Sequence, residues 1–191
     1  LWKLCGLGIE FVSVNASTSC IRSSSYADRV LSKLDEYGLD PSELKIEVVE
    51  SVFLGSESND VRAVLERLSA EGVRIALDDF GTGYASLSHL RDYPINCIKI
   101  DKSFVSGLGQ NGSNTAIVQA LIGLGRSMKL EVITAGIETQ GQLDFVSALG
   151  SDFGQGYLLA RPMDAQALAQ YATASPLPHQ ARDERALTAN A

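Results

Sequence analysis

The chain has 191 residues, 45% of them hydrophobic, which is enough to bury the core of one domain. It carries 23 acidic against 16 basic residues and a formal charge of -7, so it lacks the basic surface with which sequence-independent nucleic-acid binders neutralise phosphates. We therefore expect no nucleic-acid polymer as a partner, and a phosphate-ester ligand would need a bound divalent cation to offset its charge.

The cysteines and the apolar stretches indicate in which cellular compartment the protein is expected. Cys5, Cys20 and Cys97 form neither a zinc pattern nor a disulfide framework, which is typical of a reducing environment, and we expect a cytoplasmic location. No stretch approaches the roughly 18 apolar residues that span a bilayer, so no membrane contact is expected. Residues 1–15 lack the basic region and cleavage site of a signal peptide, and a start at Leu1 is compatible with a fragment of a longer polypeptide.

Hydrophobic periodicity predicts strands that alternate with helices along the chain. The predicted strands cover residues 8–14, 44–49, 73–77, 96–100, 130–134 and 151–155. The predicted helices cover residues 27–34, 61–68, 86–90 and 117–128, a segment that begins at a Thr139–Gln142 capping box, and residues 165–171. We expect one domain over residues 1–174 and a disordered tail over residues 175–191.

This order of elements predicts a parallel sheet with helices outside it, in an α/β fold. Two architectures compete, a doubly wound open sheet and a (β/α)8 barrel that lacks two units. No Gly-x-Gly-x-x-Gly motif follows the first predicted strand, which weakens the case for a nucleotide-binding open sheet. Polar residues recur at the carboxyl ends of successive strands, as the active site of a barrel requires, and this pattern favours the barrel.

The polar residues at these strand ends are mostly oxygen donors. They are Asn15, Glu50, Asp78, Asp79, Lys99, Glu138 and Gln155. Neither histidine, His89 or His179, lies at a strand end. Oxygen ligands without histidine or cysteine suit Mg²⁺, Mn²⁺ or Ca²⁺ rather than zinc. Adjacent aspartates would also repel each other in a poorly solvated cleft unless a cation lay between them.

Several runs in the sequence resemble one family. The run LDDFGTGYASLSHL (77–90), followed by INCIKIDKSFV (95–105), resembles the centre of the EAL family of cyclic di-GMP phosphodiesterases. The resemblance extends to VSVNAS (12–17), KIEVVES (45–51), ITAGIET (133–139) and FGQGYLLARPM (153–163). It covers residues 8–172 in family order and implies a TIM-type (β/α)8 barrel lacking about the first two β-α units. The implied activity is metal-dependent opening of cyclic di-GMP to a linear dinucleotide.

The resemblance also implies a metal site. Asn15, Glu50 and Asp78 would ligate one divalent cation, and Asp78 and Asp79 would reach towards a second. The expected cation is Mg²⁺ or Mn²⁺, with Ca²⁺ as a non-productive competitor.

Catalytic and substrate-binding roles follow from the same resemblance. Lys99 would hold the attacking water or a phosphate oxygen, and Glu138 would support the loop that carries the catalytic base. Gln155, Asp101 and Pro162 would contribute to the substrate pocket. A homodimer through the segment after Asp79 and upstream sensor or cyclase domains are further expectations from the family.

The chain departs from the family pattern in two places. The tripeptide Glu-Ala-Leu, which supplies a metal-binding glutamate on the family's first barrel strand, occurs nowhere in this sequence. Ala135 stands where the family has the glutamate that resembles its general base or a ligand of the second metal. Because loss of a general base costs about 10²–10⁴ in rate, we expect weak activity or none.

Three hypotheses for function remain open. The chain binds cyclic di-GMP as a degenerate receptor, or it is an active phosphodiesterase in its full-length context. Alternatively it is a remnant that binds no ligand and docks through the helices near residues 84–93.

Overall fold

The computed structural model describes residues 9–53, 58–83, 87–108 and 112–174. The predicted disordered tail, 175–191, lies outside these residues. The chain divides into two compact units. Residues 11–161 form the unit that contains all six strands, while residues 1–10 and 162–191 form the other, whose described part includes the helix α8 (Ala165–Ala174).

Six strands form one parallel sheet whose spatial order follows the chain. They are β1 (Val12–Asn15), β2 (Leu44–Val49), β3 (Arg74–Phe80), β4 (Cys97–Ile100), β5 (Glu131–Ala135) and β6 (Phe153–Gln155). All six predicted strands are confirmed. β3 continues through the two aspartates to Phe80, three residues beyond its predicted end, because the apolar run alone marked the boundary in the sequence.

Helices connect the strands in the unit of residues 11–161. They are α1 (Thr18–Ile21), α2 (Tyr26–Glu36), α3 (Ser58–Ala70), α4 (Leu87–Asp92), α5 (Lys102–Ser106), α6 (Gly112–Ser127) and α7 (Gln140–Leu149), with 3₁₀ turns at Pro41–Glu43 and Glu50–Phe53. The predicted capping box is present, since the Thr139 hydroxyl accepts from the Gln142 N–H and the Gln142 side chain accepts from the Thr139 N–H. The short helices α1 and α5 were not predicted, because a segment of four or five residues is too short to show helical periodicity.

The two faces of the sheet bury different side chains. The face towards the helices contributes to the main apolar core through Ile46, Val48, Ile75, Leu77, Ile98 and Ile100. A smaller cluster of Ala76, Cys97 and Ile133, with Phe153 packed against it, lies on the opposite face. Side chains alternate along a strand. Polar residues two positions away from Ala76, Cys97 or Ile133 on their strands therefore lie on this second face as well.

One ion pair shows that the sheet is strongly curled. Lys45 Nζ on β2 lies 2.7 Å from Glu131 Oε2 on β5. In a flat sheet these strands would be about 14 Å apart, three strand spacings, so a direct pair requires them to turn towards each other. The rings of Phe11 and Phe153, from opposite ends of the strand order, also lie only 5.7 Å apart. The barrel architecture with six of its eight strands is therefore confirmed over the open sheet.

Candidate functional site

Three charged side chains from neighbouring strands converge at the carboxyl ends of those strands. They lie on the face of the curled sheet that is turned away from the helices, which we call the concave face. Lys99 Nζ of β4 lies 2.7 Å from Glu47 Oε2 of β2 and 3.4 Å from Asp78 Oδ2 of β3. The side chains of Lys99, Glu47 and Asp78 are only 11%, 7% and 15% exposed. Charges so poorly solvated need partners of opposite sign, and the ammonium of Lys99 offsets one of the two carboxylate charges.

The ammonium of Lys99 stays charged in this environment. Burial lowers the pKa of Lys99, but the hydrogen bond from Lys99 to Glu47 and the negative charges of Asp78 and Glu47 outweigh burial, so the pKa lies above its usual value. An ammonium ion therefore lies between two carboxylates at physiological pH.

Sequence reasoning placed Glu50 in this cluster and missed Glu47. The carboxylate that reaches Lys99 belongs to Glu47, whereas Glu50 is buried in the 3₁₀ turn after β2 and its Oε1 accepts from the Gly81 N–H at 3.0 Å. The alternation of β2 held the signal, since Lys45 and Glu47 are polar residues two apart in an otherwise apolar strand and so share its concave face.

The two aspartates occupy an irregularity in β3. Leu77 pairs with Ile98 and Phe80 pairs with Ile100, so that Asp78 and Asp79 together oppose the single residue Lys99. Such an extra residue re-aims side chains, and Asp79 adopts a left-handed backbone with φ of 55°. Its N–H donates to Asp78 Oδ1 at 2.9 Å.

The carboxyl groups of Asp79 and Asp101 influence each other electrostatically. Burial and the nearby charges of Asp78 and Asp101 raise the pKa of Asp79. Burial raises the pKa of Asp101, but hydrogen bonds from Ser103, from the Lys102 backbone and from Asp79 outweigh it and lower that pKa. The two neighbouring carboxyl groups therefore have pKa values shifted in opposite directions.

The donor set suits a hard divalent cation. Asn15 is exposed at the end of β1 and is the register partner of Glu47, which makes its amide oxygen a candidate donor beside the carboxylates of Glu47 and Asp78. Within the described ranges, no three histidine, cysteine, aspartate or glutamate side chains are grouped closely enough to hold a metal ion. The candidate set therefore consists of two carboxylates and an amide, all oxygen donors, around a position that already attracts a positive group, Lys99.

The end of β5 carries an alanine, Ala135, which by strand alternation shares the face of Ile133. Ala135 pairs with Gln155 across β5 and β6, and the two following loops are tied by backbone hydrogen bonds from Ile137 N–H to the Gln155 oxygen (3.0 Å) and from Leu158 N–H to the Ile137 oxygen (3.1 Å). A side chain at Gly156 would collide with the Ile137 backbone. The position of Ala135 is thus fixed, and its methyl group can accept no proton.

The roles of two other predicted site residues, Glu138 and Pro162, stay predictions. Glu138 is exposed, and its N–H donates to Gln142 Oε1 at 2.8 Å. Pro162 belongs to the second compact unit, and its substrate-binding role stays a prediction.

Comparison with known proteins gives one consistent family. The EAL domain profile matches residues 2–162. The bifunctional diguanylate cyclase/cyclic di-GMP phosphodiesterase MucR of Pseudomonas aeruginosa is 40% identical over 168 residues, which cover 88% of this chain and 24% of MucR. The chain thus spans about a quarter of the length of that relative.

Solved structures agree with the sequence match. The P. aeruginosa MucR phosphodiesterase in complex with c-di-GMP superposes with a TM-score of 0.78 at 39% identity, covering 83% of this chain and 64% of that one. The EAL domain of Mycobacterium smegmatis DcpA gives 0.86 at 31% identity, covering 93% and 79%. Klebsiella pneumoniae BlrP1 with manganese and cyclic di-GMP gives 0.76 at 28% identity, covering 84% and 41%. The chain belongs to the EAL domain family.

Proposed function

We propose that this chain binds cyclic di-GMP at the carboxyl ends of its strands with a divalent cation, and that it hydrolyses the dinucleotide weakly or not at all. The observation that carries the proposal is the juxtaposition of Glu47, Asp78 and Lys99 with Ala135 at the end of the neighbouring strand β5. Glu47, Asp78 and Lys99 supply a charged site, and Ala135 stands at the position where a general base is missing.

Glu47, Asp78 and Asn15 would hold the cation, so Glu47 takes the role that the sequence analysis gave to Glu50. The structures of BlrP1 with manganese and with calcium, each in complex with cyclic di-GMP, support a divalent ion of this kind. Bound there, Mg²⁺ or Mn²⁺ would neutralise phosphate charge and lower the pKa of a nucleophilic water, and Ca²⁺ would compete without supporting turnover. Asp79, next to Asp78 in the irregularity of β3, would contribute to a second ion.

Hydrolysis requires a group that takes a proton from water. Water adds its oxygen to phosphorus, the bond from phosphorus to the 3′ oxygen breaks, and that oxygen receives a proton. Lys99 is charged and so donates rather than accepts, which leaves it suited to hold a phosphate oxygen. Ala135 supplies no acceptor, so binding is retained while the chemical step is slow.

The loop after β6 offers a surface for a base of the ligand. Gln155 is exposed at the end of β6, and Tyr157, two residues later, is 53% exposed with the Arg161 guanidinium 4.5 Å from its ring centroid. An exposed ring next to a guanidinium is an arrangement on which purine bases stack. Asp101 would accept from the polar edge of the same ligand.

Partners other than the dinucleotide form part of the proposal. The homodimer would use α4, on which Leu87 is 61% exposed while Phe53, His89 and Tyr93 pack together behind it. Residues 84–86 of the expected dimer segment lie outside the described residues. MucR combines a phosphodiesterase with a cyclase, which supports upstream domains here also. No described helix has the length and hydropathy to cross a bilayer, and a cytoplasmic location remains our proposal.

The experiment measures binding and turnover separately. Calorimetry with cyclic di-GMP and Ca²⁺ should give saturable binding that Asp78→Asn weakens, and chromatography with Mg²⁺ or Mn²⁺ should show little linear product. Rapid hydrolysis that Asp78→Asn abolishes would instead establish an active phosphodiesterase. Absence of binding at high micromolar dinucleotide would leave the protein-interaction remnant.

A further inference from the structure

Lys99 occupies the position between the two carboxylates that a cation would take. Its ammonium lies 2.7 Å from Glu47 and 3.4 Å from Asp78, in contact with both proposed metal-binding side chains. The distance to Glu47 is that of a charge-assisted hydrogen bond, and the distance to Asp78 is that of a looser ion pair. The lysine is therefore the cation of this site in the metal-free protein.

The charge balance explains why a cation has to be there. Glu47 and Asp78 are almost fully removed from water, and two such carboxylates on adjacent strands repel each other strongly in a medium of low dielectric constant. One ammonium reduces their combined charge from -2 to -1. A divalent ion would neutralise both, but it could not share the same oxygens with the ammonium without strong repulsion.

We infer that Lys99 is an internal counter-ion that holds the carboxylates together in the absence of metal, and that a divalent cation has to displace it from Glu47. Lys99 then acts as a positioning residue that weakens metal affinity while keeping the empty site formed. Its flexible four-carbon stem lets the ammonium move while its backbone stays in β4. The inference rests on the proposed metal site, because it names the group with which the metal competes.

The test is Mn²⁺ binding without dinucleotide, measured by electron paramagnetic resonance of the free ion. Lys99→Met keeps the length of the side chain and removes its charge, and we expect it to bind Mn²⁺ at least tenfold more tightly than the wild-type protein. Lys33→Met changes the net charge equally at an exposed helical site and should leave the affinity unchanged. Equal or weaker binding by a folded Lys99→Met protein would overturn the inference.

A second measurement uses the wild-type protein, in case Lys99→Met does not fold. Acylation of lysines by an N-hydroxysuccinimide ester, mapped by mass spectrometry, should modify Lys99 faster in Mn²⁺ than in EDTA, with Lys33 unchanged. An equal rate at Lys99 with and without Mn²⁺ would contradict displacement, and so would failure of Mn²⁺ to bind any variant. Binding of cyclic di-GMP with Ca²⁺ present is measured in parallel, and saturable binding with an unchanged acylation rate at Lys99 would overturn the displacement while the proposed function stands.

Discussion

The Glu50 carboxylate accepts a hydrogen bond from the backbone N–H of Gly81, 3.0 Å away, in the turn after β3. Gly81 has a φ of 99°, and a side chain there would press against the Phe104 ring and Leu121. Glu50 thus fixes the course of the chain just after the two aspartates, while Glu47, three residues earlier, reaches Lys99. Glu47 and Glu50 therefore have different structural roles, although they are only three residues apart.

Substitutions should distinguish the metal-binding role of Glu47 from the structural role of Glu50. Glu47→Gln removes a charged oxygen donor, and we expect Mn²⁺ affinity to fall about tenfold or more, since even the outer partners of metal ligands are worth about 10–100-fold. Glu50→Gln keeps an oxygen that accepts from Gly81, so Mn²⁺ affinity should change less than threefold. Calorimetry with Mn²⁺ measures both.

Glu50→Ala serves as the control for the structural role. It removes the acceptor, so the Gly81 amide should exchange its hydrogen faster while Mn²⁺ still binds. A loss of Mn²⁺ affinity in Glu50→Gln with no loss in Glu47→Gln would contradict our assignment and return the ligand role to Glu50.

Ala135→Glu should restore a proton acceptor beside the pocket. Gain of a general base is worth about 10²–10⁴ in rate, and linear dinucleotide formed from cyclic di-GMP in Mn²⁺ should increase by at least the lower figure. Ala148→Glu, at an exposed position of α7, adds the same charge away from the pocket and should have no effect. If both variants stay equally inactive while both still bind the dinucleotide, position 135 does not carry the base.

The local parts of the site could be predicted from the sequence, and its long-range contacts could not. Strand ends, the Asp78–Asp79 pair and the Thr139 cap are each encoded within a few residues, where period and cap chemistry determine the structure. The pairing of Lys99 with Glu47 joins residues 52 apart and depends on which face of β2 turns inward. The position of a strand end alone indicates Glu50, whereas the alternation of side chains along β2 indicates Glu47.

Cys97 should be inert where Cys20 reacts. Burial raises the pKa of the Cys97 thiol from 9.0 to about 12, so at pH 8 roughly one molecule in ten thousand carries the reactive thiolate. Cys20 is partly exposed. Alkylation with iodoacetamide, mapped by mass spectrometry, should label Cys20 in the folded protein and Cys97 only after unfolding in urea.

The same pKa shift has a consequence for stability. The unfolded chain loses the Cys97 proton near pH 9.0 and the folded protein only near pH 12, so this group's contribution is complete below pH 9 and is lost as the pH rises above it. Urea unfolding between pH 8 and 10.5 should therefore show a steeper decline for the wild-type protein than for Cys97→Ala. Parallel declines would contradict the shifted pKa.

Neutralising Lys45 should cost far more stability than neutralising an exposed lysine. Its ammonium is fully buried on the concave face, 2.7 Å from Glu131 Oε2 and 4.1 Å from the Phe11 ring centroid. Lys45→Met leaves Glu131, which is 19% exposed, with the more distant Arg74 at 3.4 Å. Removal of one partner from a buried pair costs about 3–5 kcal/mol, and the remaining arginine and partial exposure place the loss near 3 kcal/mol.

Lys33→Met breaks an exposed pair within α2 and should cost less than about 1 kcal/mol. Urea denaturation followed by circular dichroism compares them, and equal losses would mean that the buried pair does not help to hold β2 against β5.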